Sequence, residues 1–197
     1  MSKILFVDTE TGSLDKNAAL LQLSGIIDID GKIVHEFDFF IKPFEGDIIT
    51  DEALEINHIK REDIENFEEP LIVKEKLFKI FEKYINKYDK SDKFILAGHN
   101  IRFDVTMICE WFKKCDESYY GSFLNLRKKL DTLSLIEAMR VMRILPDSPN
   151  NKLGDLCEEY GIEVEKLHDA LSDIKATREL AYKVGRMIKK NLKGNIF

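Results

Sequence analysis

The sequence predicts one α/β domain, in which a mixed five-stranded sheet is flanked by helices. Three strand-like segments come first, and two further strand-like segments then alternate with segments of helical periodicity. This order is typical of a single layered α/β domain. A chain of 197 residues is long enough to bury a substantial core. We place the domain at residues 1–190 and a short basic C-terminal tail at residues 191–197.

The first three strands are expected to pair in antiparallel fashion. "KILFVDTE", which begins at Lys3, is a short apolar run that ends in polar residues, as a buried strand does. Two β-rich runs then flank the dipeptide Asp30-Gly31. This dipeptide favours a type I′ turn, because both central residues of that turn need a positive φ. The segment from Ala19 to Pro43 is therefore predicted to be a β-hairpin.

The middle of the chain changes from helical turns to a buried strand. The polar and acidic residues 51–70 predict short helical turns. Between Pro70 and Tyr88 the apolar residues recur at the spacing of one helix face, and they are Leu71, Val73, Leu77, Phe78, Phe81 and Ile85. "KFILAG" is an apolar run that predicts a fourth strand ending at Gly98.

The second half predicts helices on both sides of a fifth strand. "IRFDVTMICEWFKKC" has a helical pattern, with Phe103, Met107, Ile108 and Trp111 on its inner side. A strand that ends near Asp131 precedes another helix. A short helix follows and stops at Gly161, since glycine commonly ends helices. The last long helix is expected from about residue 169 to residue 190.

Composition places the chain among ordinary globular proteins. It is 44% hydrophobic and 34% charged. No apolar run approaches the roughly 20 residues that a membrane-spanning helix needs. The N-terminus lacks the apolar stretch and small-residue cleavage site of a signal peptide. We therefore expect a cytoplasmic protein without a membrane partner.

Cysteine content and charge exclude some kinds of site and leave one question open. Cys109, Cys115 and Cys157 form no C-x-x-C pair and are odd in number, which argues against a disulfide framework or structural zinc. The net charge of −6 does not favour a polyanionic partner. The last fifteen residues nevertheless hold five Lys or Arg and no acid. They could contact phosphates, or they could form the dipole-matched end of a helix.

Two acids end the first strand. Asp8 and Glu10 are two residues apart, so their side chains project from the same face of the strand. At about 6–7 Å along the strand they repel each other, and burial adds to the cost. A divalent cation with a preference for hard oxygen ligands, Mg²⁺ or Mn²⁺, would remove this cost. Alone, a D-x-E pattern also fits a solvated strand end.

Two later segments also place an acid just after a strand or at the start of a helix. Asp104 follows the fourth strand and falls in the first turn of the next predicted helix. His168 and Asp173, five residues apart, precede and begin the last helix. An acid near a helix start is commonly only a cap or a dipole partner. Acids at three places in the chain, at the end of the first strand, at Asp104 and at Asp173, favour a shared site.

These three segments carry a resemblance to a known family. "FVDTETGS", "GHNIRFD" and "HDALSDIKAT" resemble, in this order, the three motifs of the DEDD 3′→5′ exonucleases. The match is to the histidine branch, the DnaQ-like family of the DNA polymerase III epsilon subunit and RNase T. The sister branch has a tyrosine four residues before the last acid, where this chain has Asp169. The resemblance implies a ribonuclease H-like fold and covers nearly the whole chain.

The resemblance also implies the catalytic residues. The family's four metal-binding acids correspond to Asp8, Glu10, Asp104 and Asp173, and its general base corresponds to His168. Two Mg²⁺ or Mn²⁺ ions would be held per site. The implied reaction is hydrolysis of phosphodiester bonds at the 3′ end of single-stranded nucleic acid, with release of nucleoside 5′-monophosphates.

Substrate contacts and biological role are less closely defined. The nucleotide-binding candidates near the first two motifs are Thr11, Gly12, His99, Asn100 and Phe103. Gly12 could admit the terminal nucleotide because it has no side chain, and Phe103 could either stack on a base or lie in the core. DNA is slightly favoured over RNA. Proofreading, repair, a DNA polymerase partner and a homodimer are all left open.

Departures from the family pattern keep other interpretations in view. This chain has D-T-E-T-G-S where proofreading subunits often have D-T-E-T-T-G, and some RNA-trimming relatives carry a glycine at the fifth place. An RNase T-like exoribonuclease is therefore the first alternative. A haloacid-dehalogenase-like phosphatase would explain two acids after a strand, but not His168. A non-cleaving nucleic-acid-binding module would not need all four acids and the histidine.

Overall fold

The structure is a computed structural model that describes residues 1–164 and 170–194, with backbone alone for the last four. Its centre is a five-stranded sheet in the order β3-β2-β1-β4-β5. The strands are β1 (Lys3–Thr11), β2 (Leu20–Ile29), β3 (Lys32–Phe40), β4 (Phe94–Gly98) and β5 (Leu124–Asp131). The first three pair in antiparallel fashion, whereas β4 is parallel to both β1 and β5. The predicted mixed α/β sheet is confirmed.

Six α-helices surround the sheet in the described residues. They are α1 (Asp51–Ile56), α2 (Pro70–Glu82), α3 (Arg102–Lys114), α4 (Thr132–Val141), α5 (Leu153–Glu159) and α6 (Ala170–Gly194). Two 3₁₀ helices occupy Arg61–Asn66 and Tyr119–Ser122. No helix within residues 1–164 and 170–194 is both long and apolar enough to cross a bilayer.

The hairpin turn has the geometry that its sequence predicts. Asp30 has φ +51° and Gly31 has φ +87°, as a type I′ turn requires. Asp28 stabilises the turn, because its carboxylate accepts a 2.8 Å hydrogen bond from the backbone N–H of Gly31. The hairpin prediction is confirmed.

Two helix boundaries differ from the predicted ones. Helix α2 ends at Glu82, six residues before Tyr88. The chain then turns into a loop in which the carboxylate of Asp92 accepts from the backbone N–H of Asn86. Leu71, expected on the inner face, is 53% exposed. At the other end, α6 continues to Gly194, four residues beyond the predicted end.

The sheet divides the core because successive residues of β1 face opposite sides. Leu5 and Val7 belong to the larger cluster, which packs under α2 and α3. Phe6 faces the other way and packs with Ile174 of α6. Residues 8 and 10 therefore share the face that α6 covers, and residue 9 shares the face that α3 covers.

A buried ion pair fastens α6 to the hairpin. Asp28 is fully buried in β2, and its Oδ2 lies 2.6 Å from the Arg178 guanidinium of α6. One turn further along the helix, the Tyr182 hydroxyl donates a 2.9 Å hydrogen bond to Asp28 Oδ1. These bonds satisfy a carboxylate that would be costly to bury alone. They also fix the position of the helix that carries Asp173.

Candidate active site

The site lies at the end of the sheet where the parallel strands finish. Strands β1, β4 and β5 are parallel, so their carboxyl ends lie together there. Asp8 and Glu10 are near the carboxyl end of β1, and Asp104 lies in the first turn of α3, just after β4. Asp173 enters from the first turn of α6, on the opposite side of the sheet. We call these four acids the carboxylate site.

Asp104 is held in place from the α3 side of β1. Its side chain is only 5% exposed, and its Oδ1 accepts a 2.8 Å hydrogen bond from the hydroxyl of Thr9. Burial raises the pKa of the Asp104 carboxyl to about 6, although the bond from Thr9 works in the opposite direction. Thr9 is thus a positioning residue that the sequence patterns did not reveal.

Asp8 lies at the electrostatic centre of the carboxylate site. Burial raises the pKa of Asp8 well above its usual range, and the negative charges of Asp104, Glu10 and Asp173 raise it further, in that order. The other three acids are therefore all within electrostatic reach of Asp8. The structure brings together every metal-ligand candidate of the sequence, and their function as ligands stays a prediction.

The donor set fits hard divalent cations in its chemistry, since carboxylate oxygens are the ligands that Mg²⁺ and Mn²⁺ prefer. The crowding of like charge on Asp8 is the condition that a cation would relieve. Within residues 1–164 and 170–194, however, no three His, Cys, Asp or Glu side chains converge on one point as a formed ion site would. His168 and Asp169 lie outside the described residues.

A cleft adjoins the carboxylate site. It has a volume of about 670 Å³ and shares Asp173 with the site. Its lining residues are His99, Asn100, Leu133, Glu137, Asn151, Lys152, Leu153, Gly154, Asp155 and Asp173. Most come from α4, from α5 and from the loop between them, which the sequence patterns did not link to the site. Two predicted substrate residues, His99 and Asn100, do lie there.

Both ring nitrogens of His99 have partners inside the protein. Nε2 lies 2.9 Å from the carbonyl oxygen of Asn151, and Nδ1 lies 2.9 Å from the hydroxyl of Thr132. Burial lowers the pKa of His99, which favours the neutral ring. The carbonyl can only accept, so Nε2 carries a proton. The Thr132 hydroxyl, which contacts Nδ1, also donates to the carbonyl of Gly98 at 3.2 Å. His99 therefore braces the wall of the cleft.

Asp131 joins the two loops at the carboxyl ends of β4 and β5. Its Oδ1 accepts from the backbone N–H of Asn100 at 2.9 Å and from that of Leu133 at 3.1 Å. Its Oδ2 accepts from the Ser134 hydroxyl at 2.9 Å. Asp131 thus caps α4 and also holds Asn100, whose φ of +61° is unusual for a residue other than glycine. An acid directly before a helix is the signal that could have identified it.

Removing the Asp131 carboxylate is expected to loosen this corner. Asp131→Ala should cost about 1 kcal/mol of folding free energy, the usual cost of losing a helix cap, and so lower the melting temperature by about 2–4 °C. Asp131→Asn keeps one acceptor oxygen and should lose less. Thermal unfolding of both variants measures this order, and equal stability of Asp131→Ala and wild type would contradict it.

The other substrate candidates have internal contacts. Thr11 is buried, and its hydroxyl donates to the carbonyl of Ser13 at 2.8 Å. A Cβ on Gly12 would lie 2.3 Å from the carbonyl oxygen of Ile48, so close packing alone explains glycine there. Phe103 is half-buried and packs against the larger core cluster. Nucleotide contacts at these three residues stay predictions.

The chain matches an exonuclease family model. The model, described as the RNase T exonuclease family, aligns with residues 5–181. Two similar curated proteins are PolC-type DNA polymerases III, from Lacticaseibacillus paracasei (25% identical, 83% of this chain) and Thermotoga petrophila (26% identical, 93% of this chain). A protein named 3′-5′ exonuclease DinG, from Staphylococcus aureus, is 30% identical over 47% of this chain. The chain spans only 9–12% of the length of these relatives.

Solved structures agree in fold. Escherichia coli Exonuclease I in complex with a dT13 oligonucleotide superposes with a TM-score of 0.78 at 22% identity, over 98% of this chain and 43% of that chain. Exonuclease I from Methylocaldum szegediense superposes with a TM-score of 0.74 over 96% of this chain and 41% of that one. The predicted ribonuclease H-like fold is thus confirmed. From the family match over most of its length, the chain belongs to the RNase T family of DEDD-type 3′→5′ exonucleases.

Proposed function

We propose that this chain hydrolyses phosphodiester bonds at the 3′ end of single-stranded nucleic acid and releases nucleoside 5′-monophosphates. The observation that carries the proposal is the crowding of Glu10, Asp104 and Asp173 around Asp8, next to a cleft that Asp173 also lines. Buried like charges cost folding free energy, and titratable groups perturbed in this way cluster at functional sites. Family membership supplies the reaction class.

We propose two divalent ions, Mg²⁺ or Mn²⁺, as cofactors. Asp8, Glu10, Asp104 and Asp173 would hold them. When bound, such ions supply an activated water and neutralise charge on the phosphate and the leaving oxygen. Within the chain, Thr9 fixes the orientation of Asp104, and the bonds of Arg178 to Asp28 fix the helix that presents Asp173.

His168 is proposed as the general base that takes the proton from the attacking water. Imidazole suits this task because its unperturbed pKa lies near neutrality. The support is positional, since His168 stands five residues before Asp173, and the charge of Asp173 raises the pKa of Asp8. The neutral His99 is not a competing base, because both of its nitrogens are already bonded.

The proposed substrate is single-stranded DNA, with RNA as the alternative. The PolC-type relatives are named as DNA polymerases, and Exonuclease I is described in complex with a DNA oligonucleotide. The family's own name and the glycine in "DTETGS" favour RNA trimming. A polymerase partner and a proofreading or repair role are proposals supported by the same PolC-type relatives. A homodimer stays open.

The direct test is degradation of matched DNA and RNA single strands that carry a 5′ label. In Mg²⁺ we expect a ladder that shortens from the 3′ end, faster with DNA, and we expect EDTA to abolish it. Asp8→Asn should form no ladder, whereas Asp63→Asn, an exposed acid outside the site, should match wild type.

Two results would overturn the proposal. One is a ladder that persists in Asp8→Asn or in EDTA. The other is tight binding of both strands without any product, which would instead support a non-cleaving module.

A further inference from the structure

A second charged feature lies at the opposite end of the sheet. A groove of about 810 Å³ opens between the loop before β4, the 3₁₀ turn before β5, and β5 itself. Its cationic residues are Lys87, Lys90, Lys93 and Arg127, and no carboxylate is among the lining residues that the structure describes. We call this the basic groove. It is unexpected in a chain of net charge −6.

Two acids in the loop before β4, next to the basic groove in the sequence, are already engaged. Asp92 pairs with Lys3 at 2.5 Å. The Asp89 carboxylate accepts from the backbone N–H and the hydroxyl of Ser91. Within residues 1–164 and 170–190, Lys87 pairs with Glu82, but Lys90 and Arg127 have no recorded acidic partner. The groove therefore keeps positive charge available for a ligand.

The edge strand is distorted in a way that presents cations. Phe94 of β4 pairs with Leu124, but Leu96, two residues on, pairs with Lys129, five residues on. The extra residues of β5 loop outwards between these points. The Asn125 side chain stabilises the loop by accepting from the backbone N–H groups of Arg127 and Lys128, at 3.2 and 3.0 Å. Such bulges commonly re-aim side chains.

The cations continue along β5 towards the carboxylate site. Arg127, Lys128 and Lys129 are all exposed on this edge strand. Asp131, four residues after Arg127 on the same strand, holds Asn100 at the cleft. Charges on β5 alone could serve to prevent edge-to-edge pairing. Lys87 pairs with Glu82 and Lys93 donates to the carbonyl of Gly121. Lys90 lies on a different segment from β5, so prevention of edge pairing does not explain it.

Exposed aromatic rings accompany the cations. Tyr88 is 86% exposed, and the ammonium of Lys87 lies 5.7 Å from the centre of its ring. Tyr119, which borders an adjoining pocket that Tyr88 also lines, is 75% exposed. Cations that follow a backbone and rings on which bases stack are the usual equipment of single-strand binding surfaces.

We propose that the basic groove and the β5 edge bind the phosphate backbone of the upstream part of a single strand whose 3′ end lies in the cleft. This inference rests on the proposed function. It predicts that strands long enough to reach from the cleft to the groove bind more tightly than short strands, through added ionic contacts.

The test compares binding of 5′-fluorescein oligothymidylates of about 4 and about 20 nucleotides, measured by fluorescence anisotropy in EDTA. Lys90→Glu/Arg127→Glu should raise the Kd of the long strand by about tenfold or more. Loss of two phosphate contacts should also reduce the slope of log K against log salt by about 1.4. The Kd of the short strand should not change.

Lys32→Glu/Lys60→Glu is the matched control, since it makes the same charge change at exposed lysines on β3 and before the first 3₁₀ helix. Should the reversed variant fail to fold, Lys90→Gln/Arg127→Gln makes the same test with a smaller expected effect. Tyr88→Ala should raise the Kd of the long strand and leave the Kd of the short strand unchanged.

Three outcomes would overturn the inference: an unchanged Kd for the long strand, equal weakening of both strands, or equal weakening by the control. None of them concerns catalysis. Absence of 3′ shortening in Mg²⁺ by the wild-type protein would instead refute the proposed function.

Discussion

Asp8→Asn is expected to reduce 3′-terminal hydrolysis by at least about 10³-fold, because the carboxylate at the centre of the site is lost and with it several kcal/mol of metal-dependent stabilisation of the transition state. The amide is nearly the same size as the carboxylate, so the change removes charge with little effect on packing. Initial rates on a single strand in Mg²⁺ measure the effect.

The same variant should be more stable than wild type in EDTA at neutral pH. In the folded protein the pKa values of Asp8 and Asp104 are raised, that of Asp104 to about 6, whereas in the unfolded chain both are near 3.9. The folded state therefore holds protons more tightly, and stability falls as pH rises from about 4 through about 6. Asp8→Asn removes one of these charges and should melt several degrees higher at pH 7.5.

Added Mg²⁺ should reverse the order. Binding to the folded state raises the melting temperature of the wild type, and Asp8→Asn should respond much less. Asp63→Asn, whose side chain is exposed, should follow wild type in both conditions. A variant that is less stable than wild type in EDTA would show that the charge of Asp8 is compensated in the folded protein, against the arrangement described above.

His168→Ala should lower the rate constant by about 10²–10⁴-fold, the range that a positioned general base contributes, with little change in KM. The rate of wild type should rise with pH through the titration of a histidine, whose unperturbed pKa is about 6.5. The variant should lose this rise. Initial rates measured between about pH 5.5 and about pH 8.5, a range that covers this titration, give the profile.

A metal-binding readout separates a base from a structural residue. His168→Ala should keep the increase in melting temperature that Mg²⁺ gives the wild type. His35→Ala is the matched control, because His35 lies on β3 against Tyr84, away from the carboxylate site. Wild-type turnover at neutral pH in His168→Ala would refute the assignment of the base.

Local sequence patterns predicted the strands and the acids because each depends on neighbouring residues. Alternation and apolar runs identify β1 and β4, and the dipeptide at the hairpin turn needs no distant contact. The acids were recognisable because each follows a strand or begins a helix. The end of α2 was misplaced because the side chain of Asp92 competes from six residues beyond Asn86.

Distant contacts explain what the patterns missed. His99 is fixed by a carbonyl 52 residues away, and Asn100 by a carboxylate 31 residues away. No periodicity indicates that the α4–α5 loop meets the β4–α3 turn. The basic groove was missed for the same reason, because its lysines and Arg127 come from separate segments.

The alternation along β1 has a consequence for how the enzyme can evolve. Thr9 serves Asp104 on one side of the sheet, while Asp8 and Glu10 meet Asp173 on the other. A slip of β1 by a single position against its neighbours would exchange these sides. In the same step it would move Phe6 into the core cluster that packs around Leu5 and Val7. An insertion in the first strand would therefore impair both folding and activity, and selection should act against it on both grounds. Drift should accumulate instead in the connections between elements.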